Sequence, residues 1–147
     1  MPPAFCHIAT FEIAVGAAVD AGLGHRMIPV VGGIVRGARL NGTILAGGAD
    51  WQQPGAPGAV KIGGRWVMET DDQVRIQVET PGIRRASPEV LSELAAGREI
   101  DPARYYFRVA PQFTPSPMGT FLAGAILVRR SWCKASQWRG DDVFSMA

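Results

Sequence analysis

The chain has 147 residues, of which 47% are hydrophobic and 19% charged, so length and composition indicate a single globular domain over residues 1–147. A net charge of +2 argues against a nucleic-acid partner, and no apolar run approaches the roughly 20 residues of a membrane span. The first residues lack the basic segment of a signal peptide, so the sequence predicts a cytoplasmic protein with no membrane partner.

Histidine and cysteine, the usual ligands of a structural metal, are scarce and widely spaced. The histidines are His7 and His25, and Cys6 and Cys133 stand near opposite ends of the sequence. None of these spacings matches a familiar zinc site, so we expect no metal and no other cofactor. We expect both thiols to be free and buried, and a disulfide between the terminal strands is the alternative.

Alternating apolar residues and glycine-rich turns predict strands through the first third of the chain. Residues 5–15 form the first strand, and His7 lies on its more apolar, inward face. Residues 28–52 hold six of the 18 glycines and indicate a long, bent hairpin whose backbone passes close to other backbone or to a ligand. Asp50 and Trp51 end the second strand of this hairpin, directly before a proline-containing loop.

The middle of the chain continues as short strands. Strand signals at residues 59–62 and 65–70 are separated by a glycine pair, which predicts a turn or a bulge. Residues 73–80 alternate cleanly between apolar and polar side chains. The Pro-Gly pair that follows is expected to end that strand.

One helix interrupts the strands. Ser87 is its predicted N-cap, with a proline at the first helical position, so a short helix is expected near residues 88–96. Later strands cover residues 105–111, 121–130 and the region near 141–146. The sequence therefore predicts an all-β fold, a closed antiparallel β-barrel of about eight to ten strands with one short helix.

A family resemblance rests on four stretches: residues 24–26 (GHR), 29–51 (PVVGGIVRGARLNGTILAGGADW), 65–72 (RWVMETDD) and 105–113 (YYFRVAPQF). In these stretches the sequence resembles the domain-of-unknown-function family 3237, small barrel proteins of bacteria and fungi. The resemblance covers nearly the whole chain. It implies a closed antiparallel β-barrel with a pocket, and it implies no particular activity.

Two departures from the family pattern concern that pocket. Gly119 and Ala123 stand where the family has a tyrosine and an asparagine, and Trp66 stands where it has a tyrosine. If the pocket of the family uses those polar groups, the departures imply a different substrate or activity for this chain.

The candidate site is built from charged residues, because no nucleophile motif, phosphate-binding loop or dinucleotide fingerprint occurs in the sequence. A buried carboxylate can act as a general base while a guanidinium or a phenol holds a developing oxyanion. Asp50 is the predicted base, with Asp71 as the alternative. Arg108 and Tyr106 are the predicted catalytic partners, and Arg65 is a further candidate for holding the oxyanion. The predicted ligand-binding residues are Arg26, Trp51, Arg65, Trp66, Asp71 and Phe113.

This chemistry suits a cofactor-free isomerase, cyclase or lyase that binds a small carbonyl compound or an aromatic or polycyclic ligand. The alternative is a non-catalytic ligand-binding or assembly barrel. Asp50 could instead form a structural ion pair with an arginine, and Trp51, Trp66 and Phe113 could be ordinary core residues. The apolar stretch 121–128 has no obvious cover on one face, which predicts a homodimer or higher homo-oligomer.

Overall fold

The computed structural model describes residues 5–114, 127–134 and 138–146. These residues form eleven β-strands, one α-helix, α1 (Pro88–Ala95), and one 3-10 turn, Pro102–Arg104. In chain order the strands are β1 (Phe5–Val15), β2 (Val19–Gly22), β3 (His25–Arg36), β4 (Gly42–Ile44), β5 (Gly48–Pro54), β6 (Ala59–Thr70), β7 (Arg75–Arg85), β8 (Tyr106–Val109), β9 (Gln112–Thr114), β10 (Leu127–Lys134) and β11 (Trp138–Met146).

Eight of these strands pair in a closed antiparallel ring. The order is β1, β3, β5, β6, β7, β8, β10, β11, and β11 pairs back with β1. Three shorter strands join the ring: β2 pairs with β3, β4 pairs with both β3 and β6, and β9 pairs with β7. The antiparallel barrel with one short helix that the sequence predicts is therefore confirmed.

Alternate residues of the ring strands face the barrel interior, because successive side chains of a strand point to opposite faces. On β6 and β7 the inward residues include Trp66, Met68, Ile76 and Val78, each at most 3% exposed. They belong to the larger of two apolar clusters: Ile8, Ala9, Phe11, Ile13, Val30, Val35, Leu40, Ile44, Trp66, Met68, Ile76 and Val78. These side chains fill one part of the interior, as expected for a barrel of about eight strands.

Helix α1 covers the other part of the interior. It begins after Ser87, whose Oγ accepts a hydrogen bond from the backbone N–H of Val90 at 3.2 Å, so the predicted N-cap is confirmed. Val90 is buried in the second apolar cluster with Ile62 of β6 and Phe107 of β8. A helix of this length is unstable in isolation, and this contact with the barrel stabilises it.

The start of β1 differs from the prediction. The register between β1 and β11 shifts between His7 and Ala9, and this β-bulge puts Ile8 and Ala9 together in the core. His7 and Cys6 are consequently exposed, so the predictions of an inward His7 and a buried Cys6 are wrong. The thiol of Cys6 is free, as predicted. Cys133 lies in β10, and the state of its thiol stays a prediction.

Two predicted breaks are continuous strand. The glycine pair at residues 63–64 lies within β6, which pairs with β5 on one side and β7 on the other. The Pro-Gly pair at 81–82 lies within β7, where Pro81 is exposed and its carbonyl accepts a hydrogen bond from Ala110 N–H at 2.8 Å. Gly64 and Gly82 allow neighbouring strands to approach closely instead of turning the chain. The first part of the predicted strand 121–130 lies outside the described residues, and β10 begins at Leu127.

Candidate functional site

Three neighbouring strands of the barrel place Asp50, Gly64 and Thr80 side by side. Asp50 on β5 lies opposite Gly64 on β6, and Gly64 lies opposite Thr80 on β7. Residues directly opposite one another on paired strands share a face. That face is the interior, because Asp50 is 4% exposed and Thr80 is 0% exposed. The sequence predicts that Asp50 ends a strand. In the structure Asp50 lies within β5, which continues to Pro54.

Gly64 has no side chain, and the side chains of Asp50 and Thr80 approach its backbone closely. A Cβ at this position would lie 3.0 Å from Oδ1 of Asp50 and closer still to Oγ1 of Thr80. The two oxygens therefore converge on the point where a side chain of residue 64 would begin. Oγ1 of Thr80 has no hydrogen-bond partner among the described residues. A carboxylate and a hydroxyl thus lie close together inside the barrel.

A second polar pair, Gln52 and Arg84, lies on the same face. Gln52 is two residues after Asp50 on β5, and Arg84 is four residues after Thr80 on β7. Both side chains are buried, and Nη2 of Arg84 donates a hydrogen bond to Oε1 of Gln52 at 3.2 Å. The guanidinium carbon of Arg84 also lies 5.5 Å from the centre of the Phe107 ring, within the range of a cation–π contact. We call Asp50, Gln52, Thr80 and Arg84 the internal polar layer.

Asp50 and Thr80 lie between the two apolar clusters, and Gln52 and Arg84 lie beside members of the cluster that packs on helix α1. On β6, Ile62 belongs to the cluster that packs on helix α1, and Trp66 belongs to the larger cluster. Gly64 lies between them in the sequence of inward positions. A cluster of polar groups between two apolar ones matches the usual composition of a small-molecule site, an apolar cavity with a few placed polar groups.

Three of the residues predicted from the sequence lie on the same inner face as Asp50 or pack in or against the core. Arg26 is partly buried and lies opposite Gln52 on the neighbouring strand. Trp66 is a core residue and Phe113 is partly buried against the core, with ring centres 5.6 Å and 6.2 Å from that of Phe11. Packing thus accounts for both aromatic rings, the ordinary alternative that the sequence left open.

The other predicted residues lie on the outer surface. Trp51 is 47% exposed and borders an outer cavity of about 620 Å³ together with Arg65. Tyr106 is 49% exposed and borders a separate outer cavity of about 440 Å³ together with Arg108. Asp71 is exposed in the turn between β6 and β7.

Strand alternation explains why Arg108 and Asp50 are not brought together. Phe107 lies opposite the buried Arg84 and shares its inward direction, so the neighbouring Arg108 and Tyr106 point outward. These two residues line an outer cavity whose lining does not include Asp50. Their assignment as catalytic partners of Asp50 stays a prediction that this placement does not support.

The sequence contained a signal for the residues that were missed. The alternation that buries Ile76 and Val78 continues through Thr80 to Arg84 when the strand is extended past the Pro-Gly pair. Likewise, Gln52 follows Asp50 by one full alternation on β5. The inward positions on both strands were missed because strands were expected to end at proline and glycine.

Within the described part of the chain, no three His, Cys, Asp or Glu side chains are grouped in a way that could hold a metal ion. Across those same residues, no helix has both the length and the apolar composition needed to cross a membrane. The candidate site consists of the carboxylate of Asp50, the amide of Gln52, the hydroxyl of Thr80 and the guanidinium of Arg84.

Comparison with known proteins now identifies the family. A family model described as "Protein of unknown function (DUF3237)" matches residues 3–128. The chain belongs to this family. A UPF0311 protein of Rhodopseudomonas palustris is 37% identical over 111 residues, which are 73% of this chain and 72% of the relative.

Several solved structures of other proteins share this fold. The crystal structure of the same Rhodopseudomonas palustris protein, described as conserved and of unknown function, has a TM-score of 0.91 at 28% identity and covers 100% of this chain and 99% of that one. A "beta-barrel like protein" from Acinetobacter baumannii has a TM-score of 0.78 at 32% identity over 100% and 99% of the two chains. A structure described as an enzyme from Penicillium herquei has a TM-score of 0.62 at 18% identity over 97% and 96%.

Proposed function

We propose that the barrel binds a small carbonyl compound at the internal polar layer and rearranges it by acid–base catalysis, as a cofactor-independent isomerase, cyclase or lyase. One observation carries the proposal: the buried oxygens of Asp50 and Thr80 converge at Gly64, and Oγ1 of Thr80 has no hydrogen-bond partner among the described residues. Burying polar side chains costs free energy, and a binding site gives such groups a use. The apolar clusters on either side suit an aromatic or polycyclic ligand.

The chemistry follows from the types of side chain in the layer. The carboxylate of Asp50 removes a proton from a carbon next to the carbonyl group of the ligand. The guanidinium of Arg84 holds the carbonyl oxygen as negative charge develops there, and the hydroxyl of Thr80 donates a hydrogen bond to it. Return of the proton from Asp50 to a different atom completes an isomerisation, and loss of a leaving group completes an elimination.

The fold is compatible with catalysis. The Penicillium herquei protein, which shares this fold, is described as an enzyme. Because the two chains are 18% identical, this likeness concerns the fold, and the roles of individual residues are argued from the geometry of this chain.

The test is exchange of carbon-bound hydrogen for deuterium, because proton removal is detectable before the product is known. A panel of ketones and keto acids is incubated with the protein in deuterated water and followed by proton nuclear magnetic resonance. We expect exchange next to the carbonyl of at least one compound, and Asp50→Asn should slow it by about 10²–10⁴-fold with little change in melting temperature. Asp71→Asn, an exposed carboxylate in a turn, is the matched control and should exchange like the wild type.

Two outcomes would contradict the proposal. If Asp50 only forms a structural ion pair, Asp50→Asn should destabilise the barrel by about 3–5 kcal/mol without affecting ligand binding. If compounds bind tightly and no exchange occurs in the wild type, the barrel is a non-catalytic binding protein. Mass spectrometry of any molecule that co-purifies with the protein identifies the ligand class in either case.

A further inference from the structure

One of the two cavities described above, on the outer surface of the barrel, lies apart from the internal polar layer. Its volume is about 440 Å³, and its lining includes Arg85 at the end of β7, Arg104 in the 3-10 turn, and Tyr106 and Arg108 on β8. We call these four residues the outer basic pocket. Arg85 and Tyr106 lie opposite each other on the outer face, directly beside an inward-facing pair. The sheet therefore separates this pocket from the interior.

Among the residues whose side chains the structure describes, no carboxylate compensates the positive charge of the outer basic pocket. None of the described residues that line it is acidic, and its arginines form no ion pair with a described carboxylate. The acidic residue nearest in sequence, Asp101, instead accepts a hydrogen bond from the backbone N–H of Ala103 at 2.9 Å.

Two arginines in another region of the outer surface are paired with carboxylates. Nε of Arg75 lies 3.1 Å from a carboxylate oxygen of Glu69, and Nε of Arg65 lies 3.7 Å from one of Glu79. Because like charges repel, guanidinium groups gathered without a carboxylate are stabilised when an anion binds among them. The difference between the two regions points to a ligand rather than to a general excess of arginine.

Arg108 is already held in place within the pocket. Its Nη1 donates a hydrogen bond to the backbone carbonyl of Phe107 at 2.9 Å, and its guanidinium carbon lies 5.0 Å from the centre of the Tyr106 ring. A guanidinium has five N–H donors, so these contacts fix the orientation of the group and leave donors for a ligand. Less conformational entropy is then lost on binding.

We propose that the outer basic pocket binds an organic oxyanion, a small molecule that carries a phosphate or a carboxylate group. Planar guanidinium groups bind both kinds of oxyanion through paired, charge-assisted hydrogen bonds. The volume of about 440 Å³ lies in the usual range for organic ligands and exceeds what a bare ion fills.

Calorimetric titration with phenyl phosphate, phthalate and inorganic phosphate tests this proposal, and benzamide serves as the neutral control. The wild type should bind phenyl phosphate or phthalate, and high salt should weaken that binding. The double variant Arg85→Gln/Arg104→Gln should lose affinity by about tenfold or more. The control Arg36→Gln/Arg75→Gln removes the same charge from exposed positions outside the pocket and should bind like the wild type.

Every outcome of the titration decides something. Tighter binding of phenyl phosphate than of phthalate assigns a phosphate ligand, and the reverse assigns a carboxylate. No binding of any anion at millimolar concentration, or an equal loss in the control pair, would overturn the proposal. Inorganic phosphate that binds as well as phenyl phosphate would reduce the pocket to a site for a simple ion. If the double variant does not fold, Arg108→Lys keeps the charge, removes the planar fork and should still weaken binding.

Discussion

Replacing Gly64 with alanine would crowd the internal polar layer. The new Cβ would lie 3.0 Å from Oδ1 of Asp50 and closer still to Oγ1 of Thr80, so at least one side chain must move. Thr80 is β-branched and has few rotamers available. Overpacking of this kind costs about 1–3 kcal/mol, which corresponds to a fall in melting temperature of about 2–12 °C at this chain length. Ligand binding at the layer should be lost as well.

The adjacent glycine provides a matched control. Gly63 lies on the opposite face of β6, a Cβ there would meet nothing within 4 Å, and neither glycine has a positive φ. Gly63→Ala should therefore leave stability unchanged or raise it by about 0.4–1 kcal/mol through the unfolded state. Thermal and urea unfolding followed by circular dichroism measure both variants. Equal melting temperatures for the two variants would refute the tight packing around Gly64. Adding Thr80→Ala to Gly64→Ala removes the clashing hydroxyl and should recover part of the lost stability.

Three further predictions concern stability, thiol chemistry and assembly. Ser87→Ala removes the N-cap of α1 and should lower the free energy of unfolding by about 1 kcal/mol, whereas Ser92→Ala, at an exposed position within the helix, should not. Cys6 is exposed and free, so a thiol reagent should modify it in the folded wild type and not in Cys6→Ser; a silent thiol would contradict the bulge that turns it outward. Light scattering at micromolar concentration should find a homodimer or higher homo-oligomer, and a monomer would contradict the inference from the apolar stretch 121–128.

Local features of the fold were predictable from the sequence, because they depend on neighbouring residues. The capping oxygen of Ser87 and the alternation of Ile76 and Val78 are signals contained within a few positions, and both are confirmed. Asp50 was singled out for the same reason, as a carboxylate in a glycine-rich strand segment. The breaks predicted within β6 and β7 were wrong because glycine and proline have two uses, and only the tertiary context selects between a turn and a close approach.

Which residues of the candidate site become neighbours was not predictable, because this depends on the register between strands that are distant in sequence. Asp50, Gly64 and Thr80 become neighbours only through the pairing of β5, β6 and β7. Residue type also cannot tell the inward Arg84 from the outward Arg108. Whether a strand residue faces the interior changes with every position, so one misplaced strand end or bulge exchanges the two faces.

Closure of the barrel between its first and last strands has a consequence for folding. Phe5 lies opposite Met146, so the contact that completes the ring joins residues from the two ends of the described chain. Contacts of long sequence separation form slowly, because the entropy of closing the loop is lost before the contact stabilises anything. During synthesis, one edge of β1 has no partner until β11 leaves the ribosome, and unpaired strand edges promote association between chains. We therefore expect the nascent barrel to be most vulnerable to aggregation just before its last strand is made.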